Sequence, residues 1–197
     1  MYLWIITTMM KTYLPIITLY LLVLLCFLLY IVGLDGDFLF DDYPNLKPLG
    51  TYGTINNWDK VRAFVSSGFA GPTGRPISLA SFLIDANTWP TSPYPFKYTN
   101  LMLHLLNGVL LCWATLLLLK NYNYNEKKSI WIALLTMAFW LLHPYMVSTT
   151  LYIVQRMAQL STLFSLVGII GYLKARQILT TRPWTAYLGM AFAIGAG

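Results

Sequence analysis

An apolar run from Tyr13 to Leu34 contains no charged side chain. About 20 consecutive apolar residues suffice for a helix to cross the hydrocarbon core of a bilayer, so this run is long enough to span it. The composition agrees, because 57% of the residues are hydrophobic, only 10% are charged and the mean hydropathy is +0.60. Such values are typical of a membrane protein and not of a soluble domain. We therefore predict an all-α integral membrane protein, built as a polytopic helical bundle.

Later apolar segments predict more spans. The second, third and fourth spans and the start of a fifth are expected at 98–119, 129–142, 157–173 and 184–197. The third is about 21 Å long at 1.5 Å per residue, which is short of the roughly 30 Å core. It must therefore continue past His143-Pro144 as a kinked helix, or break there. Because the last run ends without a polar exit, we expect the chain to be the amino-terminal part of a longer protein or a truncated copy of one.

Basic residues predict the orientation, since cytoplasmic loops are enriched in lysine and arginine. Arg156 stands alone on one side of the predicted membrane, and the other short-loop basic residues fall on the opposite side: Lys11, Lys120, Lys127, Lys128, Lys174, Arg176 and Arg182. We expect a cytoplasmic amino terminus, a retained first span and an extracytoplasmic loop 34–97. The basic excess follows from this asymmetry and from contact with anionic membrane lipid, so no nucleic acid partner is expected.

The chain thus divides into three predicted parts. Residues 1–33 form the cytoplasmic amino terminus and first transmembrane helix, 34–97 form the large outer loop, and 98–197 form helices two to four and the start of a fifth. The outer loop holds six of the seven acidic residues. Its polarity excludes it from the hydrocarbon and makes it the part in which polar chemistry is expected.

Two short helices are predicted inside this loop. Asn56 or Asn57 is suited to cap the first, whose apolar face is expected to lie on the bilayer surface and consists of Trp58, Val61, Phe64 and Val65. The second is expected from Pro76 to about Ala86, because proline suits the first helical position. Its narrow polar face would carry Ser78, Ser81 and Asp85, with Arg75 at its start.

Asp41 and Asp42 are the strongest candidates for chemistry, because they follow the first span directly. Two neighbouring carboxylates can supply a general base or can hold a divalent cation such as Mg²⁺ or Mn²⁺. Adjacent residues on an extended chain face opposite ways, so we expect one of the two to be the base. Asp35 and Asp37 have the D-x-D spacing of many metal-dependent sugar transferases and are weaker metal candidates. The alternative for each of these acids is a solvated turn.

Three basic or imidazole side chains are candidates for binding an anion. Arg75 could bind a phosphate, or else meet lipid headgroups. Arg156 could pair with phosphate, or else extend its charged end to the membrane surface. His143 could bind a donor or an acceptor at the end of the third span. His104, inside the second span, is better explained as a neutral imidazole hydrogen-bonded to another helix.

Four motifs in this order resemble one family: Gly33-Leu34-Asp35-Gly36-Asp37-Phe38-Leu39-Phe40-Asp41-Asp42-Tyr43-Pro44-Asn45, Gly74-Arg75-Pro76-Ile77-Ser78, Tyr98-Thr99-Asn100-Leu101-Met102-Leu103-His104-Leu105-Leu106-Asn107, and His143-Pro144 with Tyr152-Ile153-Val154-Gln155-Arg156. They are similar to the GT-C superfamily of membrane glycosyltransferases, in particular to bacterial relatives of the TPR-containing protein O-mannosyltransferases.

The resemblance implies transfer of a sugar from a polyprenyl-phosphate donor to a protein or glycan hydroxyl outside the cytoplasm, in a bacterial inner membrane. It implies catalytic roles for Asp41 and Asp42. Substrate-binding roles are implied for Arg75, His143, Gln155 and Arg156.

Two other classes remain open. A lipid-linked glycan transporter or polymerase component would be expected to carry charges within its spans, whereas these spans are nearly free of charge. A non-catalytic membrane assembly subunit is the other alternative.

Overall fold

The computed structural model describes residues 2–51, 53–69, 74–179 and 181–196, with side chains from 13 to 195. Within these ranges the chain is helical and has no β-strand. The α-helices are α1 (Tyr2–Ile31), α2 (Asp42–Leu46), α3 (Trp58–Ser66), α4 (Pro76–Phe82), α5 (Tyr94–Asn121), α6 (Glu126–Leu142), α7 (Met146–Leu151), α8 (Arg156–Gln177) and α9 (Pro183–Ala196). Short 3₁₀ helices follow α2 at Lys47–Gly50 and precede α8 at Ile153–Gln155.

Three segments in the described part are long and apolar enough to cross a membrane: Tyr13–Ile31, Tyr94–Asn121 and Ile153–Gln177. The prediction of an all-helical chain is confirmed for the described residues, and the three segments are compatible with a helical membrane protein. The count of complete spans is three by this criterion and not four, because α6 has only 17 residues and α9 only 14. At 1.5 Å per residue α6 is about 26 Å long.

The third predicted span breaks at His143-Pro144 and does not continue as a kinked helix. Helix α6 ends at Leu142, His143 adopts an extended conformation with ψ of 125°, and α7 begins at Met146. Proline disfavours helical conformation in the residue before it and lacks the N–H that a continuing helix needs. Of the two possibilities left open by the sequence, the structure has the break.

The chain forms two compact units. The first contains residues 1–29, 104–146 and 161–197. The second contains 30–103 and 147–160. The predicted outer loop 34–97 therefore lies wholly within the second unit, together with a later segment that supplies Tyr152 and Arg156.

The second unit has an apolar core built from its short helices. Its buried members are Leu46, Leu49, Ile55, Phe64, Leu79, Phe82, Phe96, Ile153 and Met157. Asn57 caps α3, because its side chain accepts a hydrogen bond from the Lys60 N–H at 2.9 Å. The apolar face of α3 packs into this core: Phe64 is 1% exposed, whereas Trp58 is 67% exposed. The expectation that the whole face lies on the bilayer is therefore wrong for Phe64.

Helix α4 begins at Pro76 as predicted but ends at Phe82, four residues before Ala86. Turns continue the chain from there to Asp85. Of the predicted polar face, Ser78 and Ser81 lie in α4 and Asp85 lies in these turns, where its carboxylate pairs with Arg156. The backbone carbonyl oxygen of Ser81 accepts from the same guanidinium.

In the first unit, α5 and α8 share a small apolar cluster of Ala114, Leu166 and Ile170. His104 is buried and its Nε2 lies 3.2 Å from the carbonyl oxygen of Leu141 in α6. This confirms the expectation that the His104 imidazole bonds to another helix.

Candidate active site

The two adjacent acids lie on a tight turn, from Leu39 to Asp42, that follows α1. The Asp42 N–H donates to the Leu39 carbonyl at 2.7 Å, and the Leu39 N–H donates to the Asp42 carboxylate at 2.9 Å. Phe40 has a φ of 23°, a conformation that a residue with a bulky side chain rarely adopts. Its ring is 84% exposed. The turn therefore exposes to solvent a residue with a strained backbone conformation. Such conformations occur more often at functional positions.

Asp42 is completely buried and anchors this turn to a distant segment. One carboxylate oxygen accepts from Leu39, and the other accepts from the Val154 N–H at 2.8 Å. Burial raises the pKa of the Asp42 carboxyl, and this effect is opposed by these backbone N–H groups and by the charge of Lys97. With both oxygens occupied and no exposed surface, Asp42 is suited to positioning its neighbour.

Asp41 is exposed and lies against Tyr152. Its backbone N–H donates to the Tyr152 hydroxyl at 2.9 Å. Burial raises the pKa of the Tyr152 phenol, and the negative charges of Asp41 and Asp42 raise it further. The hydroxyl therefore stays protonated near neutral pH, beside the one carboxylate of the pair that is open to solvent.

Lys97 supplies a buried positive charge that acts on these acids. The side chain is 3% exposed, and its charge acts on both Asp42 and Asp37. A side chain at Gly36 would place its Cβ 2.8 Å from the Lys97 Nζ, so the ammonium lies against the backbone of the Asp35-Gly36-Asp37 turn. A protein cation in this position repels a metal ion and weakens the case for D-x-D metal binding.

Arg156 is also completely buried, and its guanidinium is engaged on every side. Its Nε donates to the Asn100 side-chain oxygen at 2.7 Å, and its Nη2 donates to the Phe96 carbonyl at 2.8 Å. The Nη1 donates to the Ser81 carbonyl at 3.0 Å and pairs with the Asp85 carboxylate at 2.5 Å. Arg156 therefore joins the α4 segment to the first turns of α5 and α8.

This environment differs from both possibilities considered for Arg156. The side chain is fully buried, each of its three nitrogens has a protein partner, and its Cζ lies 4.8 Å from the Phe82 ring centroid. The geometry gives Arg156 a positioning role, and phosphate binding by it stays a prediction.

Arg75 is the accessible arginine of the second unit's candidate site. It precedes α4 with a left-handed φ of 53°, and its Nη1 contacts the Met157 sulfur at 3.3 Å. The side chain is exposed, and a thioether is a weak acceptor. Among the described residues, Met157 is the one hydrogen-bond partner given to this guanidinium, and phosphate binding by Arg75 stays a prediction.

The remaining predicted residues are more scattered. Asp35 and Asp37 are exposed, and Gln155 is half-buried in the 3₁₀ turn before α8. His143 is exposed and belongs to the first unit, where its Nδ1 accepts a hydrogen bond from the Tyr145 N–H at 3.2 Å. With Nδ1 as an acceptor, a neutral His143 carries its proton on Nε2, which would be the nitrogen to donate to a ligand.

Sequence reasoning missed several members of the site. Asp85 had been noticed only as part of a polar helix face, and Lys97, Asn100 and Tyr152 had been given no role. The Asn100 side-chain amide donates to the carbonyl oxygens of Tyr152 and Ile153, at 3.4 and 3.2 Å. One signal was present: Asn100 and Tyr152 both lie within the motifs that carry the family resemblance.

A divalent cation at the acid pair also stays a prediction. Among the residues that the structure describes, no three His, Cys, Asp or Glu side chains converge. Both Asp42 oxygens already accept N–H groups, so Asp41 is the better placed of the two to offer free lone pairs.

No protein-family model, curated protein or solved structure matches this chain at a significant level.

Proposed function

We propose that this chain is a membrane glycosyltransferase component, in which Asp41 accepts the proton of a protein or glycan hydroxyl as a sugar leaves a polyprenyl phosphate. The observation that carries this proposal is the contrast between the two adjacent acids. Asp41 is exposed, whereas Asp42 is fully buried and held by two backbone N–H groups. One acid is thus presented to solvent by a turn that the other acid fixes.

The position along the chain supports a substrate that is anchored in lipid. The turn from Leu39 to Asp42 comes only a few residues after Tyr13–Ile31, a helix able to span a membrane. A base at this point would act near the water–lipid boundary, where the phosphate of a lipid-linked sugar resides. The exposed ring of Phe40, next to Asp41, offers an apolar face for a sugar or for lipid.

The chemistry needs a base and a means of stabilising the departing phosphate. The acceptor oxygen forms a bond to the anomeric carbon, the bond from that carbon to the phosphate oxygen breaks, and the hydroxyl proton moves to Asp41. The phosphate departs with the electron pair of the broken bond. Arg75 is the candidate to bind it, because a guanidinium matches the geometry of phosphate oxygens and this one is exposed.

The test compares sugar transfer by Asp41→Asn with transfer by Asp59→Asn, which removes another exposed acid, from α3. Membranes that contain the chain are supplied with extracted polyprenyl-phosphate sugars, and transfer to endogenous acceptors is measured. We expect Asp41→Asn to slow transfer by roughly 10²-fold or more, which is typical of losing a general base. Asp59→Asn is expected to retain the wild-type rate. Unchanged transfer by Asp41→Asn would contradict the assignment.

A non-catalytic assembly subunit is the second candidate. This candidate is favoured because several polar side chains bind other parts of the protein itself. Asp42, Asp85 and Arg156 all form such contacts within the second unit. Under this alternative, wild-type membranes transfer no sugar beyond the level of membranes lacking the chain, and Asp41→Asn changes nothing.

The transporter alternative gains one observation. Helices α5 and α8 begin at Tyr94 and Arg156, so Lys97 and Arg156 lie within helices able to span the membrane and not outside them. Both residues sit in the first turn of their helix and have protein partners, so we retain the enzyme as the better-supported proposal.

A further inference from the structure

The net charge of this protein belongs to one of its two units. The second unit, 30–103 and 147–160, carries six basic and six acidic side chains and is neutral. The first unit carries the other seven basic side chains and one acid, Glu126, so it accounts for the whole net charge of +6. The excess positive charge is therefore confined to the first unit and is not distributed over the whole protein.

Within the first unit, six basic side chains lie where consecutive helices are joined, at the α5–α6 and α8–α9 connections. They lie in the last turns of α5 and α8, in the first turn of α6 or directly before α9: Lys120, Lys127, Lys128, Lys174, Arg176 and Arg182. All six are exposed. In the described part of the chain none of them forms an ion pair within 4.0 Å. Their charge is thus available to an external anion.

A cavity of about 650 Å³ lies between the end of α5 and the start of α6. It combines a polar part with an apolar part, because Lys120, Asn123, Tyr124, Glu126 and Ser129 share its wall with Leu116 and Ile130. A small water-soluble anion would make no favourable contact with the apolar wall. A glycerophospholipid would use both parts, with its phosphate near Lys120 and the upper part of an acyl chain on Leu116 and Ile130.

We propose that this cavity is a binding site for the headgroup of an anionic glycerophospholipid. Glu126 is the one acid in the cavity wall, and it is outnumbered by the cations at the two ends of the α5–α6 loop, Lys120, Lys127 and Lys128. The neighbouring residue Lys174 is held by a cation–π contact, with its Nζ 4.3 Å from the centroid of the Trp113 ring. The loop between α5 and α6 is therefore the accessible positive region of the site.

The test measures lipid binding to the whole chain, purified in detergent, by native mass spectrometry. Dioleoyl-phosphatidylglycerol and dioleoyl-phosphatidylcholine, which have the same acyl chains, are titrated separately. We expect the wild-type chain to retain phosphatidylglycerol more tightly. We also expect Lys120→Gln to weaken that binding about fivefold, the effect of one lysine near an anionic lipid surface, while leaving phosphatidylcholine unaffected.

Two matched variants show whether the cavity is responsible. Lys127→Gln removes a charge from the same loop outside the cavity wall, and Arg62→Gln removes one from the neutral second unit. Lys127→Gln should lose clearly less affinity than Lys120→Gln, and Arg62→Gln should lose none. Equal losses from Lys120→Gln and Lys127→Gln would mean diffuse attraction and would overturn the site. Equal binding of the two lipids to the wild-type chain would overturn it as well.

Discussion

At the scale of single residues, the main result is that two neighbouring aspartates have different physical roles. Asp42 is buried and accepts two backbone N–H groups, whereas Asp41 faces solvent beside the Tyr152 hydroxyl. The chemistry of the two side chains is identical, so the distinction comes from their surroundings alone.

Asp42 should make stability depend on pH in a particular direction. Its pKa is raised, mainly by burial, so the folded state holds the proton more tightly than the unfolded chain does. The associated stability is complete below the ordinary aspartate pKa of about 3.9 and is lost as the pH rises through the raised value. In unfolding experiments in detergent, we expect the wild-type protein to lose stability as the pH rises from the ordinary aspartate pKa to the raised pKa of Asp42.

Asp42→Asn should remove this part of the pH dependence, because it cannot titrate. The substitution should also lower the free energy of unfolding by about 1–3 kcal/mol, since one of the two backbone N–H groups would then face the NH₂ group of the asparagine, which is itself a donor. Asp59→Asn is the control and should follow the wild-type curve. Superimposable slopes for wild type and Asp42→Asn would show that Asp42 has the same pKa in both states.

At the scale of elements, the Arg156–Asp85 pair is the main polar link in the second unit. It joins the segment after α4 to the start of α8, and Asn100 adds α5. Breaking a buried ion pair leaves one charge unpaired, whereas replacing both partners by apolar residues removes that penalty.

We therefore expect Arg156→Met and Asp85→Leu each to lower stability by roughly 3–5 kcal/mol. The double variant should be more stable than either single variant, because no unpaired buried charge remains. Thermal unfolding of the four proteins in one detergent forms the double-mutant cycle. Additive losses in the double variant would mean that the two side chains stabilise the fold independently.

Local features were predictable and long-range partners were not. Asn57 and Pro76 were correctly placed at helix starts, because capping and proline preferences depend on neighbouring residues. The partners of Arg156 lie 56 to 75 positions away along the chain, and no local pattern connects residues so far apart. For the same reason, the sequence alone could not distinguish the roles of Asp41 and Asp42, because the Val154 N–H that binds Asp42 lies 112 positions away along the chain.

At the scale of the whole molecule, the account depends on orientation in the membrane. The neutral second unit contains the proposed base, and the positive first unit carries the basic helix ends. The excess of basic residues in cytoplasmic loops leads us to propose that the turn from Leu39 to Asp42 lies outside the cytoplasm, where lipid-linked sugars would be used.

Cysteine labelling in intact cells tests this proposal most directly. The native cysteines Cys26 and Cys112 are both buried, at 0% and 4% exposure, so an introduced cysteine should dominate the signal. Phe40→Cys lies beside Asp41, and Lys127→Cys lies in the basic loop. A membrane-impermeant maleimide should label Phe40→Cys in intact cells and Lys127→Cys only after permeabilisation. The reverse pattern would place Asp41 in the cytoplasm and contradict the proposed mechanism.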